Sequence, residues 1–374
     1  MAAACGAAAA CGAAAGLAAV IGAAIPSASK APSVSVSAPV SAPAVRAPAS
    51  VRAPAWPGSG YQRGNVSEHS DAYPYAVYVP SSLRADPAAP LVVVLHGCGM
   101  TADQMAAASQ FDALAERDRF MVLYPDVDAL DAETYGRCWR GIWAPDLEGR
   151  GNGDAAAIAD MTRAVISRWH ADPGRVYAIG ISAGAFETVI LAAYYPDLYA
   201  AIGIHSGAPY MGAEPGCLPV GANTAGLAGD VLDAMGPRAR VMPVIVIHGD
   251  ADPAVPYRCG QQVIAQWLGV DNLILKREHH PGVPGSPGSP GRSRSGVVPG
   301  GHGYTVLSYE DGSGCVVAQL WTVHGMGHYW SGGSADPALA RYSDSQGPSA
   351  AAASWAFFSG WGLSGPLRPC ARAG

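Results

Sequence analysis

Charge is scarce in this 374-residue chain: Asp, Glu, Lys and Arg make up only 14% of it, the net charge is −6, and no block of like charges occurs. That pattern excludes a phosphate-tracking nucleic-acid surface, and no nucleic-acid partner is expected. Strongly apolar runs are missing too. Residues 1–24 are nearly all Ala and Gly, too weakly apolar for a membrane anchor. No Lys or Arg precedes that stretch as in a standard secretory n-region, and no Leu stands ahead of Cys5 or Cys11 as in a lipoprotein. The zinc-binding pattern H-E-x-x-H is absent, and the glycines of HGMGH argue against a helix that could carry two metal-ligating histidines, so no metal is expected. What the chain does have is 49% hydrophobic residues, ample for a sizeable core.

The apolar opening followed by PSASKA reads as a signal peptide over residues 1–29, despite its missing basic end. Residues 30–60, rich in Pro, Ala and Ser, cannot build a core and read as a semi-rigid linker. Folding is expected from Tyr61 to the end, with a Pro/Gly insertion at 280–301 expected to be a disordered surface loop. No second domain is expected after Phe358.

Within 61–374 strand and helix patterns alternate. Residues 75–79, 91–95, 120–124, 176–179, 201–204 and 244–248 read as strands, and 102–117, 154–170 and 185–195 as helices. Such alternation predicts an α/β fold with a mostly parallel central sheet and helices on both faces, its chemistry gathered in the loops after the strands' carboxyl ends.

One such loop is Gly180-Ile181-Ser182-Ala183-Gly184, the G-x-S-x-G nucleophile elbow between a strand and a helix. In a chain with 47 glycines the bare pattern arises by chance on the order of half a time, so its setting carries the weight. Serine needs a base, and the base an orienting carboxylate. In the order this fold uses, both follow the serine: HGDADPAV offers Asp250 and Asp252, and HGMGHYWSGG offers His324 and His328. Upstream, LVVVLHGCGM ends a strand in small residues suited to an oxyanion loop, where the N–H groups of Cys98 and Ala183 would face a developing negative charge. His96, His205 and His248 read as turn-stabilising residues.

Five motifs together, LHGCGMTADQM, RCW, DPGRVYAIGISAGA, HGDADPAV and GMGHYWSGG, resemble the polyhydroxybutyrate depolymerase family of secreted esterases, relatives of feruloyl and acetylxylan esterases. The resemblance runs from about Tyr61 to Phe358 and includes the closing segment YSDSQGPSAAAASWAFF. It implies an α/β-hydrolase fold and a carboxylic ester hydrolase with Ser182 as nucleophile, His328 as base and Asp252 as acid, leaving Asp250 and His324 structural. It also implies a Cys98–Cys138 disulfide, and Trp139, Trp143 and Trp330 as candidate pocket residues. Two departures stand out: Ala185 replaces a usual glycine, and the aromatic after Trp139 is delayed to Trp143.

With the leader removed, six cysteines remain, an even set suited to an oxidising compartment. The partners of Cys217, Cys259, Cys315 and Cys370 stay open at this point. The expectation is an extracellular or periplasmic monomer that needs no cofactor and takes an ester substrate, polymeric or small. Hydroxyalkanoate esters are the main reading, feruloyl or acetylxylan esters the alternative, and an inactive binding protein on the same scaffold the alternative from another class.

Overall fold

The computed structural model describes residues 59–68, 71–83, 88–142, 148–211, 217–219, 225–279 and 290–370. The expected signal peptide, nearly all of the linker, and Trp143 lie outside the described residues.

Ten strands make one sheet: β1 (Gly60–Glu68), β2 (Asp71–Val79), β3 (Leu91–Leu95), β4 (Met121–Pro125), β5 (Val176–Ile181), β6 (Ala201–His205), β7 (Val244–Gly249), β8 (Arg292–Val297), β9 (Gly303–Glu310) and β10 (Val316–Val323). Their order is β1-β2-β4-β3-β5-β6-β7-β10-β9-β8. The six central strands, β4 to β10 in that order, pair in parallel, while β1, β2, β8 and β9 flank them antiparallel. Every residue of β3, β4, β5, β6 and β7 is buried, as parallel strands covered on both faces must be.

The covering helices are α1 (Ala102–Ser109), α2 (Phe111–Asp118), α3 (Ala129–Thr134), α4 (Gly153–Trp169), α5 (Ala183–Tyr194), α6 (Ala225–Met235), α7 (Tyr257–Arg277) and α8 (Ala350–Phe358). The single helix expected over 102–117 is two. Thr101 and Gln104 close a capping box on α1, and Gln110 at φ 64° turns the chain into α2.

Part of the insertion at 280–301 also differs from expectation. Arg292–Val297 is the edge strand β8, paired with β9 from Arg292↔Ser308 to Val297↔Gly303. The backbone ladder supplies what its exposed side chains cannot.

Candidate active site

The elbow is built by steric exclusion. Ser182 joins β5 to α5 at φ 55° and ψ −121°, a conformation reached only under constraint from both elements. A methyl on Gly180 would lie 2.2 Å from the backbone carbon of Gly184, and one on Gly184 would lie 2.5 Å from the Leu95 carbonyl oxygen. Only glycine lets the turn close against the end of β3. The Ser182 N–H donates to the His205 carbonyl, and its own carbonyl accepts from Ala185 and Phe186, so the backbone is fixed on both sides. Ala185 is buried, and its methyl fills the space where Gly207 has no side chain.

The acid and base loops meet because β7 and β10 are parallel neighbours, with Val323 opposite Gly249. Asp252 Oδ1 accepts the N–H groups of Ala254 and Val255, each at 2.9 Å. Its Oδ2 then accepts Nδ1–H of His328 at 2.7 Å. Burial by itself would raise the Asp252 carboxyl, but the bond to His328, the Val255 amide and the nearby His248 together hold it below the usual carboxylate range. The opposite ring nitrogen of His328, Nε2, has no hydrogen-bond partner among the described residues.

Asp250 pairs elsewhere. Its Oδ2 bonds Nδ1 of His324 at 2.8 Å, and its Oδ1 accepts the Gly325 N–H. His324 Nε2 is taken by the Thr305 hydroxyl at 2.9 Å, so neither nitrogen of that ring is left for a substrate.

The loop after β3, where the oxyanion hole is expected, is clamped from several directions. Cys98 and Cys138 are disulfide-bonded. Gly99 N–H donates to the Gly136 carbonyl, the Tyr342 hydroxyl donates to the Gly99 carbonyl at 2.8 Å, and Trp139 Nε1 donates to the His96 carbonyl at 2.9 Å. A methyl on Gly97 would stand 3.3 Å from Ser182 Cβ, so this loop lies directly against the elbow. Neither the Cys98 nor the Ala183 N–H has an acceptor among the described residues.

Ser182 Oγ makes no hydrogen bond among the described residues, to His328 or otherwise. What links the elbow to the base loop is His205. Its carbonyl receives the Ser182 N–H, its ring Nε2 receives the Ser331 N–H at 3.1 Å, and its ring stacks on Trp330. Burial, reinforced by His248 and His328, pushes this imidazole down to about 3, so it acts as a neutral acceptor.

Two pocket expectations are corrected. Trp139 and Trp330 are both fully buried. Trp139 holds the His96 carbonyl, and Trp330 packs on Phe111 and His205, so both are spent on packing and neither presents surface to a substrate. Tyr342 was missed as a brace, although it lies in the closing segment that carries the resemblance. The partners of the remaining cysteines are also settled here: Cys217 bonds Cys259, and Cys315 bonds Cys370.

With this geometry in view, likeness to known proteins can be weighed. A feruloyl esterase B of Talaromyces stipitatus is 27% identical over 286 residues, covering 72% of this chain and 71% of that relative. A poly(3-hydroxyalkanoate) depolymerase C of Paucimonas lemoignei is 29% identical over 262 residues, covering 67% and 57%. A probable acetylxylan esterase A of Aspergillus fumigatus is 31% identical over 215 residues, covering 52% of this chain; the match spans about half of that relative, 54%. An acetyl xylan esterase structure from Aspergillus awamori has the same fold, with a TM-score of 0.54 at 22% identity, covering 71% of this chain and 94% of that one. The model of the esterase PHB depolymerase family matches residues 73–278, more than half of the chain, and the chain belongs to that family.

Proposed function

We propose that the protein is a secreted serine carboxylester hydrolase acting on poly- or oligo-hydroxyalkanoate esters. The observation that carries this reading is the pairing of Asp252 with His328 at 2.7 Å, which leaves Nε2 of that ring without a partner among the described residues, at the same carboxyl edge of the parallel strands as the elbow serine. Ser182 Oγ attacks the ester carbonyl while His328 Nε2 takes its proton; Asp252 holds the ring in the required tautomer and stabilises the imidazolium. The N–H groups of Cys98 and Ala183 receive the oxyanion. Collapse of the tetrahedral species expels the alcohol, which takes the proton back from His328 and leaves an acyl-serine. Water, deprotonated by His328, releases the acid and restores Ser182. Only protein groups and water take part.

Secretion is supported by the three disulfides, which persist in oxidising compartments. Among the described residues no helix is long and apolar enough to cross a membrane. A second reading, a feruloyl or acetylxylan esterase, is favoured by the relatives that carry those names. Hydrolysis of hydroxybutyrate oligomers, methyl ferulate, acetylated xylan and p-nitrophenyl esters of rising chain length separates the two. A higher kcat/KM on ferulate or acetylxylan than on the oligomers would transfer the assignment to the second reading. No turnover of any ester would leave a binding protein.

A further inference from the structure

Outside the catalytic constellation, three carboxylates from different parts of the chain converge in the interior. Glu148 precedes α4, Asp154 lies in its first turn, and Glu187 lies in α5, five residues after Ser182. One oxygen of each falls within 4.8 Å of the others, and all three residues are buried. Asp154 is well bonded: Oδ1 accepts the Tyr73 hydroxyl at 2.8 Å and Oδ2 the Arg140 N–H at 2.6 Å. Glu148 Oε2 accepts the Ala155 N–H at 2.9 Å. Among the described residues, Glu148 Oε1 and both oxygens of Glu187 have no hydrogen bond of ordinary geometry, although the Gly141 amide lies close enough to Glu187 to act on it. Orphaned buried polar atoms are uncommon and point to something that the protein's own donors do not supply.

Charge sharpens the point. The cation that acts on the cluster is Arg140, and its guanidinium is already committed to Asp131 at 3.0 Å and Asp128 at 3.4 Å, both buried. Among the described residues, one positive charge thus stands among five interior carboxylates. Ionised carboxylates in such a place need a counter-charge or must take up protons.

We propose that Glu148, Asp154 and Glu187 bind one divalent cation, and that the cation is calcium. Every donor is a carboxylate oxygen, and no imidazole or thiolate belongs to the cluster, which selects a hard cation over zinc or copper. Calcium accepts several protein oxygens in irregular geometry, whereas magnesium demands a near-ideal octahedron and keeps its waters. The ion ties the segment before α4 to α5, the helix that Ser182 precedes as N-cap, so its effect falls on stability and not on the chemical step.

The test uses the purified full-length chain, stripped with EDTA and passed over chelating resin, with metal content and melting temperature measured at pH 7.5. Calcium chloride at 5 mM is expected to leave about one calcium per chain after desalting and to raise the melting temperature by about 5 °C over EDTA, with magnesium chloride giving less than half of that. Glu187→Gln and, separately, Glu148→Gln are expected to remove most of the rise; if one variant fails to fold, the other decides. Equal melting temperatures in calcium and EDTA with no retained metal would overturn the site, and the trio would then share protons. A calcium-induced rise of wild-type size in either variant would place the ion elsewhere and equally overturn it.

Discussion

Asp252 and His328, 76 residues apart in sequence, are joined by a 2.7 Å hydrogen bond, and they are the proposed working pair. Asp250 and His324 form a pair of nearly the same length, but Thr305 occupies the second nitrogen of His324. Asp252→Asn is therefore expected to lower kcat by about 10³ to 10⁴, because it loses the tautomer control of the base. Asp250→Asn is expected to stay within about tenfold of wild type on the same scale. Steady-state kinetics on a p-nitrophenyl ester measure both, and the reverse ranking would show the two aspartates to be exchanged.

Ser182 is the single proposed nucleophile. Ser182→Ala is expected to abolish ester hydrolysis and labelling by an organophosphonate, with peptide mapping of labelled wild type finding the adduct on Ser182. An adduct on any other serine contradicts the elbow assignment.

The Cys98–Cys138 bridge closes a span of 40 residues at the proposed oxyanion loop. In the chain-entropy model such a closure contributes about 4 kcal/mol. Replacing both cysteines by serine is expected to lower the melting temperature accordingly. Turnover is expected to fall by less than the roughly 10² to 10³ that follows loss of an oxyanion donor, because Trp139 and Tyr342 still hold the loop. Scanning calorimetry beside kinetics tests this, and unchanged stability with unchanged turnover would deny the bridge any mechanical role.

Stability in calcium-free buffer should depend on pH in a stated direction. Burial raises Glu148 to about 6 and Asp154 and Asp271 to about 8, with the Glu148 charge adding to the rise of Asp154. The folded state therefore keeps protons that the unfolded chain has released, and stability falls as pH rises from about 4 to about 8. Asp252, Asp126 and His205 work in the opposite sense: hydrogen bonds and partner imidazoles hold the two carboxyls below their ordinary value against burial, and burial holds His205 neutral down to about 3. The carboxyls' contribution is complete above about pH 4 and that of His205 above about pH 6.5, and each is lost as pH drops through the depressed value. A maximum near pH 5 in chemical denaturation is the expected outcome, and a stability that climbs steadily to pH 8 would contradict it.

The central strands were legible because a sheet covered on both faces requires apolar runs, and LVVVL and VIVIHG are such runs. The elbow was legible because its glycines answer a local steric demand. Of the flanking strands only β2 was legible, over residues 75–79. RSRSGV is an edge whose side chains are mostly exposed, so its sequence carries turn and linker composition and its ladder partner alone makes it a strand. The break at Gln110 also escaped notice, since apolar spacing continues across it. The tryptophans mislead for a related reason: a sequence shows that an aromatic stands beside a catalytic loop but not which side of the loop it occupies, and that is fixed by packing against residues as distant as Phe111 and His205.

The place of β10 also sets a schedule. It pairs with β7 on one side and β9 on the other, so the strand that delivers His328 enters the sheet after the strands bearing Ser182 and Asp252 have been synthesised. A chain still emerging from the ribosome holds its proposed nucleophile and acid well before its proposed base. In the proposed mechanism, ester cleavage therefore begins only once β10 has joined the sheet, and a nascent or truncated chain that ends before His328 is expected to be inert.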